Sequence, residues 1–113
     1  MSKMISKGQE LDNIIKSSKE VLVLFYASWC PFSAEFLPVF EKYSQDKAQG
    51  FCRILTDKVE GCDEKYSVDV VPTVILFKNG KVSKRLDGVP GEGLDERQLV
   101  EMLDECNLKK GGL

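Results

Sequence analysis

Residues 21–27, Val-Leu-Val-Leu-Phe-Tyr-Ala, are hydrophobic at every position and stop abruptly at Trp29-Cys30-Pro31. A strand with apolar side chains on both faces has to be covered from both sides, which selects α/β architectures over one-sided sheets. Past the break, Phe32, Phe36, Leu37, Phe40 and Tyr43 recur at helical spacing. The chain therefore reads strand, turn, helix, with a cysteine at the junction. Unpaired N–H groups and the positive end of the helix dipole favour a thiolate at such a place. Cys30 is the first candidate for chemistry.

The rest of the chain builds a sheet around that strand. Met4-Ile5 reads as a short edge strand. Ser6 and Gln9 fit a capping box for a first helix over 8–16, with Leu11, Ile14 and Ile15 as its apolar stripe. The second helix extends to Asp46 or Lys47, with Pro31 in its first turn, where a missing N–H costs nothing, and Pro38 inside it as a kink. Strands follow over 51–55 and 74–77, separated by a short helix over 62–66. Asn79-Gly80 is a hairpin signal leading into a strand over 81–86. Asp95 and Gln98 can cap a last helix striped by Leu99, Met102, Leu103 and Cys106. The order βαβ, hairpin, helix gives an α/β fold: a mixed sheet of four to five strands with helices on both faces. The Trp29-Cys30 turn falls at a carboxyl end of the sheet, where such folds place their sites.

Composition narrows the chemistry. The chain of 113 residues reads as a single domain with a core over about 8–108 and a short mobile tail over 109–113. Its 16 basic and 18 acidic residues are interspersed, so no one-signed field is built for nucleic acid or a membrane surface. The N-terminal segment carries no apolar stretch of signal-peptide length and the longest apolar run is too short to span a bilayer, so a cytoplasmic location is expected. Histidine is absent, which removes imidazole acid–base catalysis, Cys-His nucleophile pairs and imidazole zinc sites. No two of Cys30, Cys52, Cys62 and Cys106 lie within C-x₂₋₄-C spacing, so no metal site is expected.

The stretch 25–33 (Phe-Tyr-Ala-Ser-Trp-Cys-Pro-Phe-Ser), with Pro38, Val71-Pro72-Thr73, Leu76-Phe77-Lys78-Asn79-Gly80 and Gly88, resembles the thioredoxin family in order and spacing over nearly the whole chain. The resemblance implies the thioredoxin fold, with Cys30 as nucleophile and Trp29 at the rim of a substrate groove beside Pro31. It also implies a cis bond before Pro72, facing Cys30, and pairing of the Val71 backbone with an extended substrate segment. Proline is the usual place for such a bond.

Two departures bear on mechanism. Disulfide-reducing members carry C-x-x-C, the second thiol resolving the mixed disulfide. Here that position is Ser33, so the motif is a monothiol C-x-x-S. A serine cannot form a disulfide, yet its hydroxyl can donate a hydrogen bond to Cys30. The buried acid that many members place in the strand before the motif is matched by Leu24, and its accompanying lysine by Arg53. Loss of the resolving thiol together with its base is a consistent pattern.

The expected function is thiol–disulfide exchange through one thiol, Cys30, tuned by Ser33, with Trp29, Pro31, Val71 and Pro72 holding substrate. Cysteine-containing proteins or glutathione are the expected partners, glutathione serving as co-substrate with no bound cofactor, and the protein is expected to be a monomer. Isomerisation is compatible with one thiol, because a substrate's own second thiol releases the enzyme. The alternative is a non-catalytic module that binds cysteine-bearing clients. Among the other cysteines, Cys52 and Cys106 read as packing residues, whereas Cys62, opening a short helix with an exposed aspect, is the candidate substitute for a resolving thiol. The glycine-rich loop 88–93 is longer than the usual family connection, and its glycines suit either a segment that adapts to or partly covers the substrate or simple tolerated loop variation.

Overall fold

The computed structural model describes residues 2–45 and 50–105. Strands β1 (Lys3–Ile5), β2 (Glu20–Tyr26), β3 (Phe51–Leu55), β4 (Thr73–Lys78) and β5 (Lys81–Leu86) form one sheet in the order β1-β3-β2-β4-β5. Both β1 and β2 run parallel to β3, and the β4–β5 hairpin joins antiparallel to β2. The hairpin turns at Asn79 and Gly80, both at positive φ, the conformation that an Asn-Gly pair supplies.

Because β2 is central, its side chains divide strictly between two cores. Val21, Val23 and Phe25 point to the side covered by α1 (Gly8–Ser17) and α3 (Cys62–Lys65), where they meet Leu11, Ile15, Ile54 and Cys62. Leu22, Leu24 and Tyr26 face α2 (Pro31–Ser44) and α4 (Glu96–Glu105), packing with Phe36, Phe40, Leu99 and Leu103. The sheet is thus sandwiched as its two-sided apolar strand requires.

Helix ends are set by different devices. At α4 the reciprocal box forms as the sequence predicts: Asp95 N–H donates to Gln98 Oε1 and Gln98 N–H to Asp95 Oδ1, each at 2.9 Å. At α1 the box over Ser6 and Gln9 does not form. Lys7 is the N-cap without a side-chain bond, and Glu10 reaches back to take the Ser6 N–H at 3.2 Å, while Gln9 turns to Asn13. A carboxylate in the first turn suits the helix dipole, which gives Glu10 the advantage over the amide. Helix α2 continues across Pro38 to Ser44; Pro38 and Ala34, whose carbonyl loses its helical donor, are both exposed, so water can serve that carbonyl. The tail and Cys106 lie outside the described residues.

Candidate functional site

Cys30 is the N-cap of α2, extended at φ −90° and ψ 121°, with Pro31 as the first helical residue. The strand delivers it and the helix fixes it. The residue is 6% exposed, and its thiol points across the site at the carbonyl oxygen of Val71, 3.8 Å from Sγ. The Val71–Pro72 peptide bond is cis. Cys30 and Val71 share the lining of a groove of about 360 Å³ with Trp29, Phe32, Thr56, Asp63, Val68, Asp69 and Val70. Trp29 is 71% exposed, an indole left in solvent on the groove that Cys30 also lines. Of the residues singled out from sequence, Trp29, Cys30 and Val71 come together at this groove, with Pro31 and Pro72 flanking it in the chain.

Ser33 sits differently from the expectation. It is buried one turn into α2, and its oxygen accepts the N–H of Ala27, at the end of β2, at 3.2 Å. No hydrogen bond joins it to Cys30 among the described residues. The hydroxyl proton is not used by the Ala27 contact.

The framework of the site rests on residues that motif reading does not reveal. Asp57, after β3, takes the Ser28 N–H on Oδ1 at 3.0 Å and the Ser28 hydroxyl on Oδ2, clasping the turn that carries Trp29 and Cys30. These Ser28 hydrogen bonds hold the Asp57 carboxyl below the usual aspartate range. Thr73 does the same for the opposite wall. Fully buried, its hydroxyl donates to the Val70 carbonyl at 2.5 Å and accepts the Gly88 N–H at 3.3 Å. Gly88 has no room for a side chain, since a Cβ would stand 2.4 Å from the Pro72 carbonyl oxygen.

The loop 88–93 is folded on itself, with Val89 and Gly93 exchanging backbone hydrogen bonds of 3.1 and 2.8 Å. Gly93, at φ +74°, packs so close to Phe32 that a Cβ would lie 2.7 Å from the Phe32 Cβ. None of its residues lines the groove. It buttresses Phe32, and the expected flexible cover is instead a short closed hairpin pinned by its own backbone.

Leu24 is fully buried on the α2 side of the sheet, in register with Arg53 of β3. Arg53, its side chain largely buried, donates through Nη1 to Glu41 Oε2 at 3.0 Å and to the Ser2 carbonyl and hydroxyl at 2.5 and 2.8 Å. With an apolar residue at position 24, the guanidinium finds its carboxylate on α2. Cys62 is buried rather than exposed, and burial with the nearby charge of Asp63 pushes its thiol up to about 11. Cys52 is likewise buried, and burial raises it. Both belong to the core on the α1 side and neither lines the groove.

A cysteine at a strand-to-helix turn, facing a cis-proline wall across a groove on a mixed sheet, defines a thioredoxin-like thiol–disulfide oxidoreductase. The family model described as Thioredoxin matches residues 2–105, and the chain belongs to the thioredoxin family. It is 35% identical to a thioredoxin of Mycoplasmoides gallisepticum over 83% of this chain and 96% of that protein. It is also 35% identical to a part of Monothiol glutaredoxin-S17 of Arabidopsis thaliana, over 80% of this chain and 19% of that protein. The structure of Plasmodium falciparum thioredoxin superposes with a TM-score of 0.82 at 26% identity, covering 91% of this chain and 97% of that one. Among the described residues no helix is long and apolar enough to cross a membrane.

Proposed function

We propose that this protein performs monothiol thiol–disulfide exchange on cysteine-bearing proteins. The Cys30 thiolate attacks one sulfur of a substrate disulfide; a Cys30–substrate disulfide forms and the other substrate sulfur leaves as a thiolate. With Ser33 at the second motif position, no second thiol among the described residues lines the groove with Cys30 to complete the cycle. An external thiol, glutathione, then attacks the Cys30 sulfur and releases the reduced substrate. A second glutathione frees Cys30 and leaves as glutathione disulfide, so two glutathione molecules supply the two electrons. In isomerisation the substrate's own thiolate displaces Cys30, with no net redox change.

The observation that carries this reading is Ser33 itself, buried behind Cys30 and engaged with Ala27. Leu24 in place of an acid, and Arg53 turned to Glu41, agree with it, because a proton-transfer relay serves a resolving thiol that is not there. In this reading Trp29 and Pro31 form the rim against which substrate packs, Val71 pairs with its extended backbone and Pro72 keeps that wall in place. Ser33 acts as a positioning residue, bracing the end of β2 against α2. The protein works as a monomer in the cytoplasm, where external thiol is abundant.

Insulin reduction, followed with and without glutathione in the wild type and in Cys30→Ser, tests the mechanism. Turnover that needs both Cys30 and glutathione is the expected result. Turnover without added thiol would sink it. Trapped Cys30 mixed disulfides that glutathione fails to release would instead favour a client-binding module.

A further inference from the structure

The groove beside Cys30 has a charge of its own. Its lining contributes the carboxylates of Asp63 and Asp69 and, among the described residues, no lysine or arginine. Among the described residues neither aspartate makes an ion pair. The basic groups on the neighbouring chain are engaged elsewhere: Lys65 pairs with Asp12, and Arg85 binds Asp87 and the carbonyls of Tyr66 and Ser67. Lys58 acts on Asp57, which is itself held by Ser28. The remaining lining is apolar or neutral, with Trp29, Phe32, Val68, Val70 and Val71 around the thiol. Two uncompensated carboxylates against an apolar wall attract a cation whose stem can lie along that wall, which is how lysine and arginine side chains bury themselves.

We infer that the groove selects extended protein segments with lysine or arginine beside the reacting cysteine, Asp63 and Asp69 being the specificity-determining residues. This rests on the exchange reading above and sharpens it. Glutathione, a small peptide of net negative charge, is then the thiol that arrives from solvent to release Cys30, and basic protein disulfides are the substrates that occupy the groove.

Trp29 is the only tryptophan of the chain and lines the groove, so its fluorescence reports occupancy without any thiol chemistry. In Cys30→Ser, two peptides that differ only in carrying Lys or Glu on either side of a central serine are titrated at low salt. The lysine peptide is expected to bind about three- to tenfold more tightly, the range that a pair of partly exposed charges supplies. The ratio should fall towards one at about 1 M salt, where the Debye length is about 3 Å. It should also fall in D63N/D69N and invert in D63K/D69K. Equal binding of the two peptides, binding of neither, or an unchanged ratio in the charge variants overturns the inference. Cysteine counterparts of the two peptides, with cysteine replacing the central serine and supplied as their disulfides, are mixed with the wild type to separate this from the exchange mechanism. A lysine preference in binding with no mixed disulfide at Cys30 would sink monothiol exchange and leave the selectivity standing. Mixed disulfides forming at equal rates from both peptides would leave exchange standing and sink the selectivity.

Discussion

The Ser33 hydroxyl oxygen accepts the backbone N–H of Ala27 at 3.2 Å, tying the first turn of α2, which Cys30 caps, to the end of β2. Both residues are buried, so an oxygen is needed there for a structural reason whatever its redox consequence. Ser33→Ala leaves that N–H unpaired and should lower stability by about 1–3 kcal/mol, read as a shift of the urea midpoint. Glutathione-dependent exchange at Cys30 should persist in the folded variant. Ser33→Cys supplies a resolving thiol and should allow insulin reduction to proceed to a Cys30 disulfide without glutathione. If both variants lack exchange while remaining folded, Ser33 does more than position the turn.

Thr73 makes the corresponding test on the other wall. Replacing it with valine keeps the shape but removes the donor to Val70 and the acceptor for the buried Gly88 N–H. A loss of about 1–3 kcal/mol is expected, together with slower mixed-disulfide formation as the wall around Val71 loosens. Thr73→Ser retains both hydrogen bonds and should keep the exchange rate. Equal rates in the valine variant and the wild type would show that the hydroxyl only stabilises.

The sequence makes the sheet legible because the physics involved is local. The two-sided apolar β2, the Asn79-Gly80 turn and the Asp95–Gln98 box each declare themselves within a few residues, and each is found where expected. The position of Cys30 is legible for the same reason, since the strand end, the short turn, the cysteine and Pro31 follow one another in the chain. What stays hidden is carried by contacts distant in sequence. Ser28 and Asp57 are 29 positions apart, Gly93 meets Phe32 from the far side of the hairpin, and Thr73 draws in Gly88. Cys62 misleads because the first residue of a short helix, which on sequence grounds has an exposed side, is here turned into the core with Val59 and Val68. Ser6 and Gln9 mislead because two acceptors compete for one N–H and the charged one, Glu10, prevails.

Acid stability should report the Arg53–Glu41 pair. Both side chains are 14% exposed. Burial pushes the Glu41 carboxyl up, but hydrogen bonds from Ser2, the charge of Arg53 and the Ser44 hydroxyl together outweigh it, and the group is held below its ordinary value. A carboxylate whose folded value is depressed stabilises the fold fully above its unfolded value, about 4.3 for glutamate, and loses that contribution as pH falls through the folded value. Glu41→Gln should therefore cost about 1–3 kcal/mol at pH 7, less than the roughly 3–5 kcal/mol of a fully buried pair because both side chains keep some contact with water. The gap between variant and wild type should narrow below about pH 4, as Glu41 takes up its proton. Asp12, held down first by its hydrogen bonds from Lys65 and Tyr66, shifts acid unfolding in the same direction in both proteins, so only the difference between them is read. A gap that stays constant down to acid unfolding would assign Glu41 a packing role alone.

Thiol accessibility decides whether Cys30 works alone. It lines the groove, whereas Cys52 and Cys62 are buried in the core on the α1 side, and all three are free thiols. A thiol alkylates as its thiolate, and burial with the charge of Asp63 keeps Cys62 protonated until about pH 11. In the native protein at pH 8, iodoacetamide should therefore label Cys30 ahead of Cys52 and Cys62 by peptide mapping. Cys52 and Cys62 should react only through opening of the core, at least about a hundredfold more slowly if that opening costs 3 kcal/mol or more. Urea should abolish the difference. The order of labelling bears directly on resolution of the mixed disulfide, because a second thiol within the chain would have to ionise and reach Cys30 on the timescale of exchange. Labelling of Cys62 at the rate of Cys30 would restore it as a resolving thiol and remove the need for an external one.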